Sequence, residues 1–382
     1  MWIIIIIFSL MFSYMSQYTI GGRYIKWLWF LILVHLMVAI INAYFYTFSP
    51  LAADAIRFHN DAIAMASGSI TNFSWHGSVV YPYFLSYVYR IDPSIMTGQS
   101  LSIFAYTMSA IVLGRFCYLL KLEKYKVLIL LCFSLNPMGL IIQSGVLRES
   151  WQVLFFMLAC YFSVKICLYN RFLNQNIVWL VAFVLLGSIL HVGVMAGSFF
   201  VLFSTIFYLF FVPKQVYFEK SLVVVIFMLF IGLVVISFYF VKQNFPDMYQ
   251  HAITYTQSVG DANTQYSIDR TSLGVLVIPW VLIYYLFYPF IWNIHDIISL
   301  YGAIVGLIRL ILLYGVYRLI KKEKNILYKR LYIILFLQII FIAFIFSFGT
   351  NNYGTGMRHM LLTFWGLALL GIPGLFKRRH YE

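Results

Sequence analysis

Charge is scarce in this sequence. Asp, Glu, Lys and Arg make up 10% of its 382 residues, and the acids number 12 against 26 Lys and Arg. With 63% hydrophobic residues, the chain has too little polar surface to cover a soluble core. Cysteine is scarce as well. Cys117, Cys132, Cys160 and Cys167 all fall within apolar segments, without metal-ligand or paired-loop spacing, so they read as small core residues. There is no HExxH, paired CxxC or DxD, so no metal is expected. There is no Walker loop and no dinucleotide glycine pattern, so no nucleotide cofactor is expected either. Internal repeats, low-complexity tracts and soluble domain boundaries are also missing. Residues 1–382 therefore read as one integral membrane domain.

What the sequence has in quantity is apolar length. Runs of about 18 or more apolar residues recur throughout, which predicts an all-α fold, a polytopic helical membrane protein. The 30 Tyr, 37 Phe and 9 Trp are numerous even for that class, and many lie near expected interfaces. The net charge of +14 is then a topology signal and not a nucleic-acid footprint, so no nucleic-acid partner is expected. The first run, Trp2 to Tyr18, has no basic leader and no small-residue cleavage site, and reads as a retained span.

Apolar length and the placement of Lys and Arg give the order of spans. They are Trp2–Tyr18, Trp27–Phe48, Gln99–Leu120, Val127–Ile142, Trp151–Leu168, Ile177–Leu190, Ala196–Val212, Ser221–Val241, Ile298–Ile320, Leu331–Phe348 and Met360–Phe376. That makes about eleven crossings, with a twelve-span version as the rival. Two long polar stretches, residues 49–98 and 242–272, fall on the outer side. Residues 273–296 contain Pro279 and Pro289 and read as a broken, re-entrant or interfacial segment. If they crossed, the basic cluster Lys321 to Arg330 would lie outside, against the positive-inside rule. In this arrangement the outer basic residues are Arg57, Arg90, Arg148, Lys242, Arg270 and Arg358. The others are inside or, like Arg309, near an inner end.

Four outer stretches could carry chemistry. In Asp54-Ala-Ile-Arg57-Phe-His59-Asn-Asp61, a helix would put Asp54 and Arg57 at i,i+3 and Arg57 and Asp61 at i,i+4. Their carboxylates could act as a general base towards a hydroxyl, or the helix could simply lie at the interface with surface ion pairs. Arg148-Glu149 sits between two apolar runs. It is either a charge pair snorkelling to the headgroups or an arginine fork for phosphate oxygens beside an acid/base. Gly354-Thr-Gly-Met-Arg358-His359 precedes the last span. Its glycines permit close backbone approach, and the span's first N–H groups would favour an anion if it started there. The fourth is the polar outer stretch Asp261 to Arg270, which reads either as a non-catalytic loop or as the source of a further phosphate contact, Arg270. His191 is a lone histidine at a span end. Aromatics such as Trp75, Tyr81, Tyr83, Tyr266 and Trp292 could stack on sugar rings or anchor at the interface. Together these residues suit a lipid-anchored phosphate or pyrophosphate substrate that enters sideways from the bilayer.

The segments ADAIRFHNDA, NPMGLIIQSGVLRESW, YPFIWNIHD and GTGMRHMLL, in this order, make the chain resemble the Wzy-type O-antigen polymerases. The resemblance implies transfer of a growing glycan from undecaprenyl pyrophosphate to a single lipid-linked repeat unit. It implies a bacterial inner membrane, a periplasmic active face and no nucleotide. Donor and acceptor would both be undecaprenyl-pyrophosphate-linked oligosaccharides, with a chain-length regulator as a candidate partner. Carried over by position, Arg148 and Arg358 would contact pyrophosphate, with Glu149 and His359 their neighbours, and Asp54, Arg57, His59 and Asp61 would line the same cavity. Asp54, Asp61, Glu149 and His359 are the catalytic candidates. His59, His191 and Trp292 line the acceptor cavity. The Pro289-Phe-Ile-Trp292 segment departs from the family pattern in lacking a second proline before the Trp. A GT-C type single-sugar transferase using a lipid phosphosugar is the first alternative, and a lipid-linked oligosaccharide flippase the second. Charges clustered on one side, beside long loops, favour an enzyme over a flippase.

Overall fold

In the computed structural model, the described residues are 1–44, 49–69, 77–169, 174–211, 277–295, 297–348, 350 and 353–376. All regular structure among them is helical. The amino-terminal half comprises α1 (Trp2–Met15), α2 (Gln17–Ile20), α3 (Gly22–Tyr44), α4 (Ser49–Ala66), α5 (Gly77–Tyr89) and α6 (Ile95–Leu119). Then come α7 (Lys126–Ser134), α8 (Pro137–Gln143), α9 (Glu149–Tyr169), α10 (Asn174–Leu190) and α11 (Val192–Phe211). The last third holds α12 (Val277–Phe287), α13 (Ile297–Lys322), α14 (Ile326–Phe348), α15 (Tyr353–His359) and α16 (Leu361–Phe376).

Six of these helices (α3, α6, α9, α11, α13 and α14) are long and apolar enough to cross a membrane. The α7–α8 pair forms a seventh, broken candidate, and α1, α10 and α16 are shorter apolar helices. The protein is thus a polytopic helical membrane protein. The expected span Ser221–Val241 and the stretch 242–272 lie outside the described residues.

Three expectations need correction. Val127–Ile142 is not one straight span. It bends by 70° between α7 and α8. Pro137 takes the first position of α8, and Asn136 before it leaves the helical region with φ −57° and ψ 112°. Arg309 is not near a helix end. It lies midway along α13, is 2% exposed, and its Nη1 donates to the Leu286 carbonyl at 3.2 Å. Arg358 and His359 do not open a span. They form the last turn of α15, where the Arg358 cation complements the helix C-terminus.

Of the expected broken segment 273–296, residues 277–295 are described, and they begin with α12. α12 has eleven described residues. Its last carbonyls reach the middle of α13, and the chain continues beside the first half of that helix. A Cβ on Gly302 would meet Pro289 Cδ at 2.7 Å and Met357 Sδ at 3.5 Å, so this turn runs close to α15.

The core centres on α6, α9 and α16, which pack on one another and bury most of their residues. Along α13, α16 approaches backbone to backbone. A Cβ on Gly374 would lie 1.8 Å from the Gly315 carbonyl oxygen, and one on Gly371 would lie 2.6 Å from that of Leu312. Only glycine permits this separation, a small-residue contact of the kind that holds membrane helices together. The cysteines behave as expected: Cys117, Cys160 and Cys167 are buried, Cys132 is half-buried, and all four are free.

The two ends of the bundle differ in charge. The α6–α7 turn, the α13–α14 turn and the end of α16 meet at one end. There Tyr332 Oη donates to Leu120 O, and Arg318 Nη1 reaches Leu375 O. This end carries Lys121, Lys124, Lys321 and Lys322. The starts of α6, α9 and α16 and the ends of α10 and α14 lie at the opposite end, where the carboxylates gather.

Candidate functional site

Each member of the cluster is placed by a helix boundary. Arg148 stands in the short connection after α8, just before α9, and its carbonyl accepts from Trp151 N at 3.1 Å and Gln152 N at 3.0 Å. Glu149 is thereby the first residue of α9, where the helix dipole favours a carboxylate. Asp54 and Arg57 share one face of α4. Arg358 reaches Asp54 and Glu149 from α15.

Arg358 is the centre. Its Nη1 donates to Asp54 Oδ2 at 2.5 Å, and its Nη2 makes a short contact with Glu149 Oε1. The guanidinium thus joins segments 304 and 209 residues away along the chain. Glu149 is 1% exposed and Arg358 8%, so the pair is inside the protein and not snorkelling to a surface. Arg57 Nη2 holds Asp54 Oδ1 at 3.1 Å, the expected i,i+3 pair. The expected i,i+4 pair to Asp61 does not form among the described residues. Asp61 lies a turn further along α4, outside the cluster's ion pairs.

Arg148 is arranged differently. Its Nη1 donates to the Leu190 carbonyl at 3.3 Å, and its Cζ lies 5.7 Å from the Phe58 ring centre. Arg57 Cζ lies 5.1 Å from the same ring. No carboxylate among the described residues comes within 4.0 Å of Arg148, and its Nε is buried without a partner there. Among the described residues, three guanidinium groups therefore face two carboxylates, with one positive charge in excess. Burial raises the Asp54 pKa, but Arg358, Arg57 and Arg148 outweigh it and hold the carboxyl below its ordinary value. The same carboxylates raise the Arg358 pKa against the effect of burial.

Next to the arginines is a histidine pair. The rings of His191 and His359 are 5.4 Å apart, and Phe346 packs against both, at 5.0 and 4.4 Å. His359 Nδ1 lies 3.1 Å from Thr350 Oγ1, and His191 Nδ1 accepts the Gly193 N–H at 2.9 Å. Burial first, then His191 and Arg358, hold the His359 pKa well below its ordinary value. His59 turns the other way, with Nδ1 2.8 Å from Tyr89 Oη, and burial lowers its pKa too.

The structure thus joins Asp54, Arg57, Arg148, Glu149, Arg358, His191 and His359. Asp61 and His59 sit on α4 but outside the charge network. Trp292 is 77% exposed and stacks on Phe290 at 4.9 Å, away from the network's contacts. Arg270, Trp75 and Tyr266 lie outside the described residues. Sequence reasoning overlooks Phe58, Thr350, Phe346 and the Leu190 carbonyl. Phe58 carries one usable signal, its i,i+4 spacing from Asp54.

Among the described residues, no three His, Cys, Asp or Glu side chains are grouped to hold a metal ion. The arrangement suits an anion. It offers one arginine fixed by two carboxylates, a second with much of its fork open, and carboxylates within reach of a hydroxyl. Comparison with family models, curated proteins and solved structures finds no match.

Proposed function

We propose that the protein polymerises lipid-linked glycan repeat units, with a lipid pyrophosphate as leaving group, at the membrane face that holds the arginine cluster. The observation that carries this reading is Arg148. It is a partly buried cation with no carboxylate within ion-pair distance among the described residues, beside an Arg358 already balanced by Asp54 and Glu149. A cation kept in such a position at a cost in desolvation is suited to an anionic ligand. The resemblance to Wzy-type polymerases supports a pyrophosphate as that ligand, and the periplasmic face of a bacterial inner membrane as its setting.

In the reaction, an acceptor sugar hydroxyl attacks the anomeric carbon of the donor glycan. The anomeric C–O bond to pyrophosphate breaks, and the lipid pyrophosphate leaves with the bonding electrons. Arg148 and Arg358 stabilise the negative charge that develops on it. The hydroxyl proton passes to a carboxylate. Asp54 is the better placed, because its side chain is 34% exposed while that of Glu149 is 1% exposed. In the free protein the arginines make Asp54 a weak base. A bound pyrophosphate competes for those arginines and restores its basicity where proton transfer is needed.

The test supplies purified protein with a lipid-pyrophosphate-linked repeat unit and reads product size. A ladder spaced by whole repeat units supports the proposal. A shift of one sugar would assign a single-sugar transferase instead. Substrate binding without product would point to a flippase.

A further inference from the structure

At the end of the bundle opposite Arg358, three chain segments line a half-open cavity of about 470 Å³. They are the α6–α7 turn, the α13–α14 turn and the end of α16. The 16 residues of α16 separate this cavity from the arginine cluster by about 24 Å, so the two are distinct.

The cavity has a cationic side and an aromatic side. Lys121 and Lys124 line it, with Tyr125, Tyr328 and Phe376. Lys121 occupies an unusual position. The Leu122 N–H bonds to Cys117 O and the Lys121 N–H to Tyr118 O, which closes α6 with a Schellman turn. Its left-handed residue, usually glycine, is here Lys121 with φ 56°. The turn therefore projects an ammonium where most helices project nothing. That ammonium sits 4.9 Å from the Tyr328 ring centre. Neither Lys121 nor Lys124 pairs with a carboxylate among the described residues. Glu323, also on the lining, accepts from the Asn325 N–H at 3.0 Å and helps shape the α13–α14 turn. Beyond the rim, Lys321, Lys322 and Lys324 add positive potential. Phe376 is 58% exposed and is an apolar part of the lining.

A cavity of this size, cationic on one side and apolar on the other, matches a phosphate ester attached to an apolar body. We infer that this cavity binds the headgroup of an anionic phospholipid, with Lys121 and Lys124 on the phosphate and the acyl chains leaving past Phe376. It does not depend on the proposed catalytic activity.

Native mass spectrometry of the full-length protein, released from detergent with defined lipids, tests this. The probes are phosphatidylglycerol, phosphatidylcholine and free glycerol 3-phosphate. The wild type should retain phosphatidylglycerol at least fivefold more than phosphatidylcholine. Lys121→Gln with Lys124→Gln should remove that preference, and Lys121→Arg with Lys124→Arg should keep it, which separates charge from folding. Equal retention of the two lipids, or an unchanged preference in the Gln variant, would overturn the inference. Lysine-dependent binding of glycerol 3-phosphate as tight as that of the lipid would overturn the lipid assignment and leave a soluble phosphate ester as the ligand.

Discussion

Replacing Arg148 with alanine separates catalysis from stability. Among the described residues, Arg148 makes one hydrogen bond, to Leu190 O at 3.3 Å, and one ring contact, with Phe58 at 5.7 Å. Glu149 and Asp54 attract it from beyond ion-pair distance, and Arg358 and Arg57 repel it, so these contributions oppose one another. The long hydrogen bond contributes about 1 kcal/mol and the ring contact about 0.5. Removing the side chain also relieves the cost of burying a charge. The net loss of stability should be about 1 kcal/mol. In the transition state the same guanidinium would meet a full charge on the leaving pyrophosphate. Losing it should cost roughly 3 to 4 kcal/mol, about 10²- to 10³-fold in turnover. Thermal unfolding in detergent and polymer formation, measured on the same preparation, check both halves. Near wild-type turnover, or a stability loss as large as that of Arg358→Ala, would refute the reasoning.

Arg358→Ala should behave in the opposite sense. It leaves Glu149 buried without its cation and should destabilise the protein by about 3 to 5 kcal/mol, visible as low yield and early unfolding. A Glu149→Gln change added to it should recover part of that loss. Because the Asp54 pKa is depressed in the folded protein, its contribution to stability is complete above the unfolded value near 3.9 and is lost as pH falls through the folded value. The acid limb of kcat/KM should accordingly lie below about pH 4. The acid limb of kcat should lie higher, because bound pyrophosphate draws the arginines away; coincident limbs would count against Asp54 as the base. Gly374→Leu should separate α13 from α16 and cost about 3 kcal/mol or more, seen as loss of folded protein in membranes, whereas Gly22→Ala, where a Cβ meets nothing within 4 Å, should be silent.

Much of the architecture is legible from apolar length alone, because a bilayer forces backbone groups into helices. The break at Asn136-Pro137 is also written in the sequence, but an unbroken apolar run masks it when residues are counted for length. Arg309 misleads for a related reason. A lone arginine in an apolar run looks like a helix end unless a neighbouring carbonyl such as that of Leu286 is known to receive it. The site is legible as islands: Asp54, Arg148-Glu149 and Arg358-His359 stand out because charge is so rare around them. Their partnership is not, since contacts across 209 and 304 residues depend on how the helices pack. Phe58 is one of 37 phenylalanines, and the Leu190 carbonyl belongs to the backbone, so neither leaves a mark in composition.

The most direct measurement counts leaving groups. Purified protein and a lipid-pyrophosphate-linked repeat unit are mixed, and free lipid pyrophosphate is quantified against glycosidic bonds formed. The account predicts one lipid pyrophosphate per bond, at a rate at least a hundredfold lower in Arg148→Ala. Bonds formed without its release, or release unaffected by loss of Arg148, would contradict it.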